Sequence, residues 1–214
     1  MCRSRELGME TDLLVWINGP FGAGKTSTTE QLVRTVDKII VFDPEEVGFH
    51  LREWVPLPPS GDFQDLPCWR DIVGQSCAAF LRHHPDHLLV VPMTVVDDGY
   101  RREIFDIIRK DTDQILHFWL SVGEETLVRR ISDQIIWPDD STRDAEVRKW
   151  RFAQIDGAMA CEERLGADTV VLPTGDASPR QLAERILAEV EGHETRARSA
   201  EAGTSAPSHR TAED

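Results

Sequence analysis

The stretch Leu13-Leu14-Val15-Trp16-Ile17-Asn18-Gly19-Pro20-Phe21-Gly22-Ala23-Gly24-Lys25-Thr26 decides how this chain folds. Leu13 to Ile17 is an unbroken apolar run, the pattern of a strand buried on both faces of a parallel sheet. Gly19 to Thr26 then fits G-x-x-x-x-G-K-[ST] without a mismatch. In that pattern the glycines let the backbone curl until its amide N–H groups point inward at phosphate oxygens. Lys25 sets a cation between the terminal phosphates, and the Thr26 hydroxyl suits a magnesium ion. Thr28 to Val36 reads as a helix, whose positive dipole end faces the loop. Strand, glycine loop and helix in this order imply a bound nucleoside triphosphate, ATP with Mg2+. The expected nucleotide contacts are Gly19, Phe21, Gly22, Ala23, Gly24, Lys25, Thr26 and Ser27, with Thr26 as the metal ligand.

Beyond the loop, short apolar runs recur at Ile39 to Phe42, Leu88 to Val91, Ile115 to Leu120 and Val170 to Leu172. Helical stripes separate them. Tyr100, Ile104, Ile107 and Ile108 share one helix face, and Leu127, Val128, Ile131 and Ile135 share another. Leu182, Ala183, Ile186 and Val190 form a third stripe, entered by Ser178-Pro179, a cap followed by proline at the first helical position. Strands separated by helices imply parallel pairing with helices on both faces. The expected architecture is α/β, a three-layer P-loop NTPase fold of the nucleoside- and nucleotide-kinase type with a five-stranded parallel sheet. Val55 to Pro67 and Trp137 to Arg148 interrupt the regularity and are expected to lie over the ligand side of the sheet. The second falls within an expected helical lid at about residues 136–150. His83-His84 is expected at a helix end. The domain is expected to span 12–191, between a flexible extension at 1–11 and a disordered acidic tail at 192–214.

A formal net charge of -14 disfavours nonspecific nucleic-acid binding and attraction to anionic lipid. It also means that a polyphosphate needs a local basic pocket. No apolar run approaches the roughly 18 residues needed to span a bilayer. Met1 to Thr11 lacks the apolar core of a secretory signal. The four cysteines form no C-x-x-C pair, which argues against a zinc site and a disulfide framework and for reduced thiols in the cytoplasm. The expected partner is a small molecule, bound by a monomer or homodimer.

Further motifs stand in order along the chain. Trp16-Ile17-Asn18-Gly19 leads into the loop, and Phe42-Asp43-Pro44-Glu45-Glu46-Val47-Gly48-Phe49-His50-Leu51-Arg52 follows the second apolar run. Then come Asp62-Phe63-Gln64, Pro67-Cys68-Trp69-Arg70, Pro92-Met93-Thr94 and Gln154-Ile155-Asp156. As a set, spanning roughly Leu14 to Ile186, they resemble the tunicamycin resistance proteins, P-loop proteins allied to small-molecule and nucleoside kinases. The resemblance implies a kinase-like fold and a role in resistance to tunicamycin, a uridine-containing antibiotic. Resistance by phosphorylation and resistance by nucleotide-gated capture of the drug both fit, and so does a metabolic kinase for a nucleoside or cofactor precursor.

Residue by residue, Asp43 ends the second run, where a carboxylate can orient an acceptor hydroxyl and take its proton; it also reads as the N-cap before Pro44. Arg52 lies about two turns on and suits hydrogen bonds to a uracil or sugar, or a surface ion pair. Phe49, Phe63, Trp69 and Met93 are either walls for a ring or acyl chain or core. Gln64 and Arg70 suit the polar edges of a ligand. Thr94 stands on a run where many P-loop enzymes place a magnesium-organising Asp, and Asp97 and Asp98 come only later. Arg130 and Arg148, within a basic cluster that runs to Arg151, are expected as lid residues that close on the transferring phosphoryl group, making Lys25, Asp43, Arg130 and Arg148 the expected catalytic set. Thr174, after the last run, is expected against the adenine.

Overall fold

The computed structural model describes residues 12–204. In chain order the elements are β1 (Leu14–Asn18), α1 (Lys25–Thr35), β2 (Ile39–Val41), α2 (Pro44–Trp54), the 3-10 turn η1 (Phe63–Asp65), α3 (Pro67–His83), β3 (Leu88–Pro92) and α4 (Asp98–Ile108). They continue with β4 (Ile115–Ser121), α5 (Glu124–Asp133), α6 (Ser141–Ala153), α7 (Ile155–Glu162), β5 (Thr169–Pro173) and α8 (Pro179–Thr204). The strands form one five-stranded sheet in the order β2-β3-β1-β4-β5, and every pairing is parallel.

β1 lies between β3 and β4, in register with Leu89 to Pro92 on one side and Ile115 to Trp119 on the other. That position explains its unbroken apolar sequence, because the pleat sends successive residues to opposite faces and helices cover both. Leu13, Val15 and Ile17 pack with Leu32 of α1, Leu127 and Ile131 of α5, and Ile186 and Val190 of α8. Leu14 and Trp16 pack with Leu51 of α2, Trp69 and Val73 of α3, and Ile104 and Ile108 of α4. All strands run the same way, so the loops after their carboxyl ends meet along one edge, where ligands bind in open α/β sheets.

Three expectations change. The tail expected to be disordered from Gly192 is in part helix, since α8 continues to Thr204. Glu194 is 5% exposed and His193 hydrogen-bonds Gln114, so the first two turns past Gly192 have packing that a polar composition alone does not reveal. The rest of that tail, from 205, and the extension at 1–11 lie outside the described residues. The stripe through Ile135 is also shorter than its periodicity implied: α5 ends at Asp133 and Ile135 is 68% exposed. Finally, α3 starts inside what looked like a proline-rich excursion, with Pro67 at its first position. It ends at His83 with His84 as its C-cap, as expected for that pair.

One buried polar side chain fixes the start of the glycine loop. Asn18, 1% exposed, accepts from the amides of Gly19 (2.8 Å) and Val95 (3.0 Å) through Oδ1 and donates to the Val95 carbonyl (2.8 Å) through Nδ2. His117 of β4 stands behind it, Nε2 3.4 Å from that Nδ2 and Nδ1 2.9 Å from Thr169 Oγ1. Burial pushes the His117 pKa down to about 3, so the ring is neutral at physiological pH. Replacing Asn18 by Ala strands two buried amides. It is expected to lower the unfolding free energy by roughly 2–4 kcal/mol in urea titrations at neutral pH; a loss below about 0.5 kcal/mol would mean that water takes over both amides.

Candidate functional site: a phosphate loop between two cavities

α1 begins at Lys25, and its N-cap is Gly24 in the left-handed conformation, φ 100°. No side chain caps the helix, and its first turn holds no acid. Its leading amides and positive dipole end are therefore left uncapped by the chain's own side chains and suit an anion. Gly19 is needed for a second reason. At φ 140°, a Cβ there would stand 2.9 Å from the Leu120 carbonyl oxygen. These features fit a polyphosphate.

Lys25 folds back over the loop. Its ammonium donates to the carbonyls of Gly19 (2.9 Å) and Pro20 (3.1 Å) and to Thr94 Oγ1 (2.6 Å), and Thr94 Oγ1 donates in turn to the Gly19 carbonyl (2.8 Å). Thr94, just beyond β3, is thus a brace between lysine and loop. Burial lowers the Lys25 pKa to about 8, against the opposing pull of Glu45.

Glu45 is a residue whose role the sequence reading missed. It sits in the first turn of α2, and burial raises its carboxyl pKa, with the neighbouring charge of Asp43 adding to the rise. Lys25 and Arg151 pull it the other way. Asp43 is the N-cap of α2, Oδ1 accepting from the Glu45 amide at 2.9 Å, and burial raises its pKa too. The cap reading of Asp43 holds, and it leaves one carboxyl oxygen outside the cap.

The basic cluster sorts by geometry. Arg130 donates to the Gly22 carbonyl at 3.1 Å and touches the loop directly. Arg148 instead binds Asp144 (2.6 Å) and the Gln134 carbonyl (3.2 Å), while Asp144 accepts from the amides of Ile136 and Trp137. Arg148 therefore holds the turn at residues 134–137 and makes no hydrogen bond to the glycine loop. Arg151, one turn further, lies 5.4 Å over the Phe21 ring, donates to Gln134 Oε1 and is influenced by Glu45. Trp150 meets the edge of Phe21 at 5.0 Å, so α6 is fastened to the loop through an aromatic pair.

A cavity of about 220 Å³ opens on one side of the loop, lined by Gly22, Ala23, Gly24, Ser27, Arg130 and Thr174. Thr174 is 1% exposed, and its hydroxyl has no partner among the described residues. A second cavity of about 180 Å³ lies on the other side, between Phe21, Thr94, Gln64, Tyr100 and Trp150, with Asp62, Asp65 and Asp97 also on its wall. Among the described residues there is no group of three or more His, Cys, Asp or Glu that could hold a metal. A magnesium ion would rely on the exposed Thr26 hydroxyl and on phosphate oxygens.

Of the residues expected near a substrate, Gln64 and Thr94 line the second cavity. Trp69 and Met93 do not: both are fully buried, and Trp69 Nε1 donates to the Pro44 carbonyl (3.0 Å), so they are core. Phe63 is 7% exposed and packs on Gly48, where a Cβ would come within 2.5 Å of its ring. Phe49 is half exposed and Arg52 lies over it and over Phe63, at 5.8 and 5.3 Å, on the outer side of α2. Arg70 is buried behind the cavity, bound to Glu103 (2.6 Å) and the Gln64 carbonyl (2.5 Å) and stacked on Tyr100 at 4.1 Å. Tyr100, Trp150 and Gln154 on the cavity wall were legible only as part of a helical stripe, the end of an expected lid and a motif string.

The depressed Lys25 pKa gives a pH test. Above about pH 8 the free ammonium loses its proton, whereas phosphate oxygens favour the charged form. Binding of Mg·ATP is expected to take up a fraction of a proton at pH 9 and almost none from Lys25 at pH 7. Calorimetry in buffers of different ionisation enthalpy measures this, and Lys25→Met should abolish the difference between the two pH values.

No protein-family model matches the chain, and no curated protein sequence matches it. Solved structures do. The tunicamycin resistance protein of Deinococcus radiodurans is similar at 24% sequence identity and a TM-score of 0.60, over 83% of this chain and 95% of that one. A gluconokinase from Sinorhizobium meliloti 1021 is similar at 16% identity and a TM-score of 0.56, over 86% and 96%. The APS kinase of Mycobacterium tuberculosis, solved in complex with AMPPNP and APS, is similar at 14% identity and a TM-score of 0.51, over 85% and 97%. Together with the phosphate loop and the all-parallel sheet, these likenesses show that the chain has the P-loop kinase fold.

Proposed function

We propose that the protein is an ATP-dependent phosphotransferase acting on a hydroxyl of a small molecule, and that tunicamycin is that molecule or is related to it. The observation that carries the reading is the placement of a cavity on each side of Lys25 and its Thr94 brace. One cavity suits the nucleoside end of ATP, with Arg130 and Thr174 on its wall. The other suits an acceptor that approaches the terminal phosphate from Thr94. The choice of tunicamycin rests on the ordered motif set and on the likeness to a tunicamycin resistance protein.

ATP supplies the phosphoryl group and Mg2+ partly neutralises its oxygens. The loop amides and Lys25 hold the terminal phosphates, with Thr26 as the protein's hydroxyl for the metal. The new bond joins phosphorus to the acceptor oxygen, and the bond to the bridging oxygen of ADP breaks. The acceptor proton passes to the Glu45–Asp43 pair, which stands off the wall of the second cavity but close enough to Lys25 to act on its charge. Both carboxyls lie above their ordinary range because they are buried, which improves them as proton acceptors near neutral pH. Arg151 and Arg130, from the lid and the neighbouring helix, offset charge as it builds.

Mass spectrometry of tunicamycin incubated with the protein and Mg·ATP tests the reading; a product heavier by one phosphoryl group is expected. Unchanged drug bound tightly in the presence of ATP would support capture without chemistry, a reading favoured by Thr94 standing where an Asp was sought. The carboxylates can be separated as well. Glu45→Gln is expected to lower kcat by about 10²–10⁴-fold. Asp43→Asn keeps an amide-accepting cap and is expected to cost less. Equal rates for both variants and the wild type would remove the pair from the proton transfer.

A further inference from the structure

The second cavity has a charge pattern that narrows its occupant. Three carboxylates line it, those of Asp62, Asp65 and Asp97, and no Lys or Arg does. Arg70 behind the wall offsets Asp65 only in part, because Glu103 shares its guanidinium, and Arg52 acts on Asp62 from outside the cavity. Arg101 is likewise paired with Asp98.

Two of these carboxylates are held by the starts of the elements they cap, and the third by hydroxyls. Asp62 Oδ1 accepts from the Gln64 amide (2.9 Å) at the head of η1, and Asp97 Oδ1 accepts from the Tyr100 amide (3.0 Å) at the head of α4. Asp65 accepts from the Tyr100 hydroxyl (2.8 Å) and from Ser60 (2.5 Å). The second oxygens of Asp62 and Asp97 have no hydrogen-bond partner among the described residues. The cavity thus offers rigid acceptors beside aromatic surface from Trp150 and Tyr100 and the donor–acceptor amide of Gln154. A phosphate or carboxylate there meets like charge that cannot swing away. A hydroxyl or ammonium meets a charge-assisted hydrogen bond, and a sugar ring finds an apolar face to pack on.

We infer that the acceptor is a hydroxyl-rich compound without negative charge, either uncharged or amine-bearing, whose donors bind Asp62, Asp65 and Asp97. The inference rests on reading this cavity as the acceptor pocket. It separates the chain from same-fold kinases whose acceptors are acids.

Binding, rather than turnover, tests it. Saturation-transfer NMR on the full chain with Mg·ADP would compare glucose, glucosamine and glucuronate, and uridine with uridine monophosphate. The non-anionic members are expected to bind at least tenfold more tightly than the anionic member of the same series. The double variant Asp62→Asn, Asp97→Asn keeps both caps, and it is expected to narrow that preference at least threefold with an unchanged melting temperature. Equal or tighter binding of glucuronate or uridine monophosphate overturns the inference, as does failure of every non-anionic probe to bind or an unchanged preference in the double variant. If the preference holds but no acceptor is phosphorylated, the kinase reading falls and the charge selectivity stands. If an acidic acceptor binds best and is phosphorylated, the reverse follows.

Discussion

The structure is organised around an ammonium group that is largely withdrawn from water at the head of a helix. Lys25 must bring its charge into a site built from backbone, and burial there costs enough to drop its pKa to about 8. Carbonyls of Gly19 and Pro20, the Thr94 hydroxyl and the nearby Glu45 and Asp43 carboxyls offset that cost. Each comes from the carboxyl edge of the sheet: the loop follows β1, Glu45 and Asp43 follow β2, and Thr94 follows β3. The head of α1, by contrast, has no carboxylate of its own in a chain whose formal charge is -14, and a polyphosphate would complement it.

The positions that hold the loop are therefore as important as the loop. Asn18 ties the last residue of β1 to the backbone beyond β3, and a neutral His117 supports it from β4. Side chains of β1 and β4 and the backbone beyond β3 so define the floor. Phe21 performs the matching task above, where Trp150 and Arg151 of α6 rest on it. That ring puts α6 in direct contact with the glycine loop.

Much of the fold was legible in the sequence because it follows from local rules. An apolar run with both faces buried, a loop motif and a Ser-Pro helix start each act within a few residues. The strands and the sheet came out within a residue or two of their expected ends. What failed depends on contacts between distant positions. Pro67 looked like part of a proline-rich excursion, yet it begins α3 because Trp69 and Val73 reach a core made with β1 and α4. Gly192 looked like the start of a solvated tail, yet α8 continues past it. The site shows the same division. The Gly19 to Thr26 stretch was legible as a glycine-rich turn between β1 and α1. Arg148 was named ahead of Arg151 although both sit in one basic run, and only the fold shows that Asp144 holds the first while Phe21 lies under the second. Glu45 was hidden because a first-turn acid on a helix ordinarily serves the helix dipole.

The most direct measurement follows the backbone amides themselves. In a titration of the isotopically labelled protein with Mg·ATP, the amide resonances of Gly22, Gly24, Lys25 and Thr26 should show the largest shifts in the spectrum, saturating together. The same titration of Lys25→Met should shift them weakly. Shifts centred elsewhere, or a spectrum unchanged by Mg·ATP, would contradict the assignment of a polyphosphate to this loop.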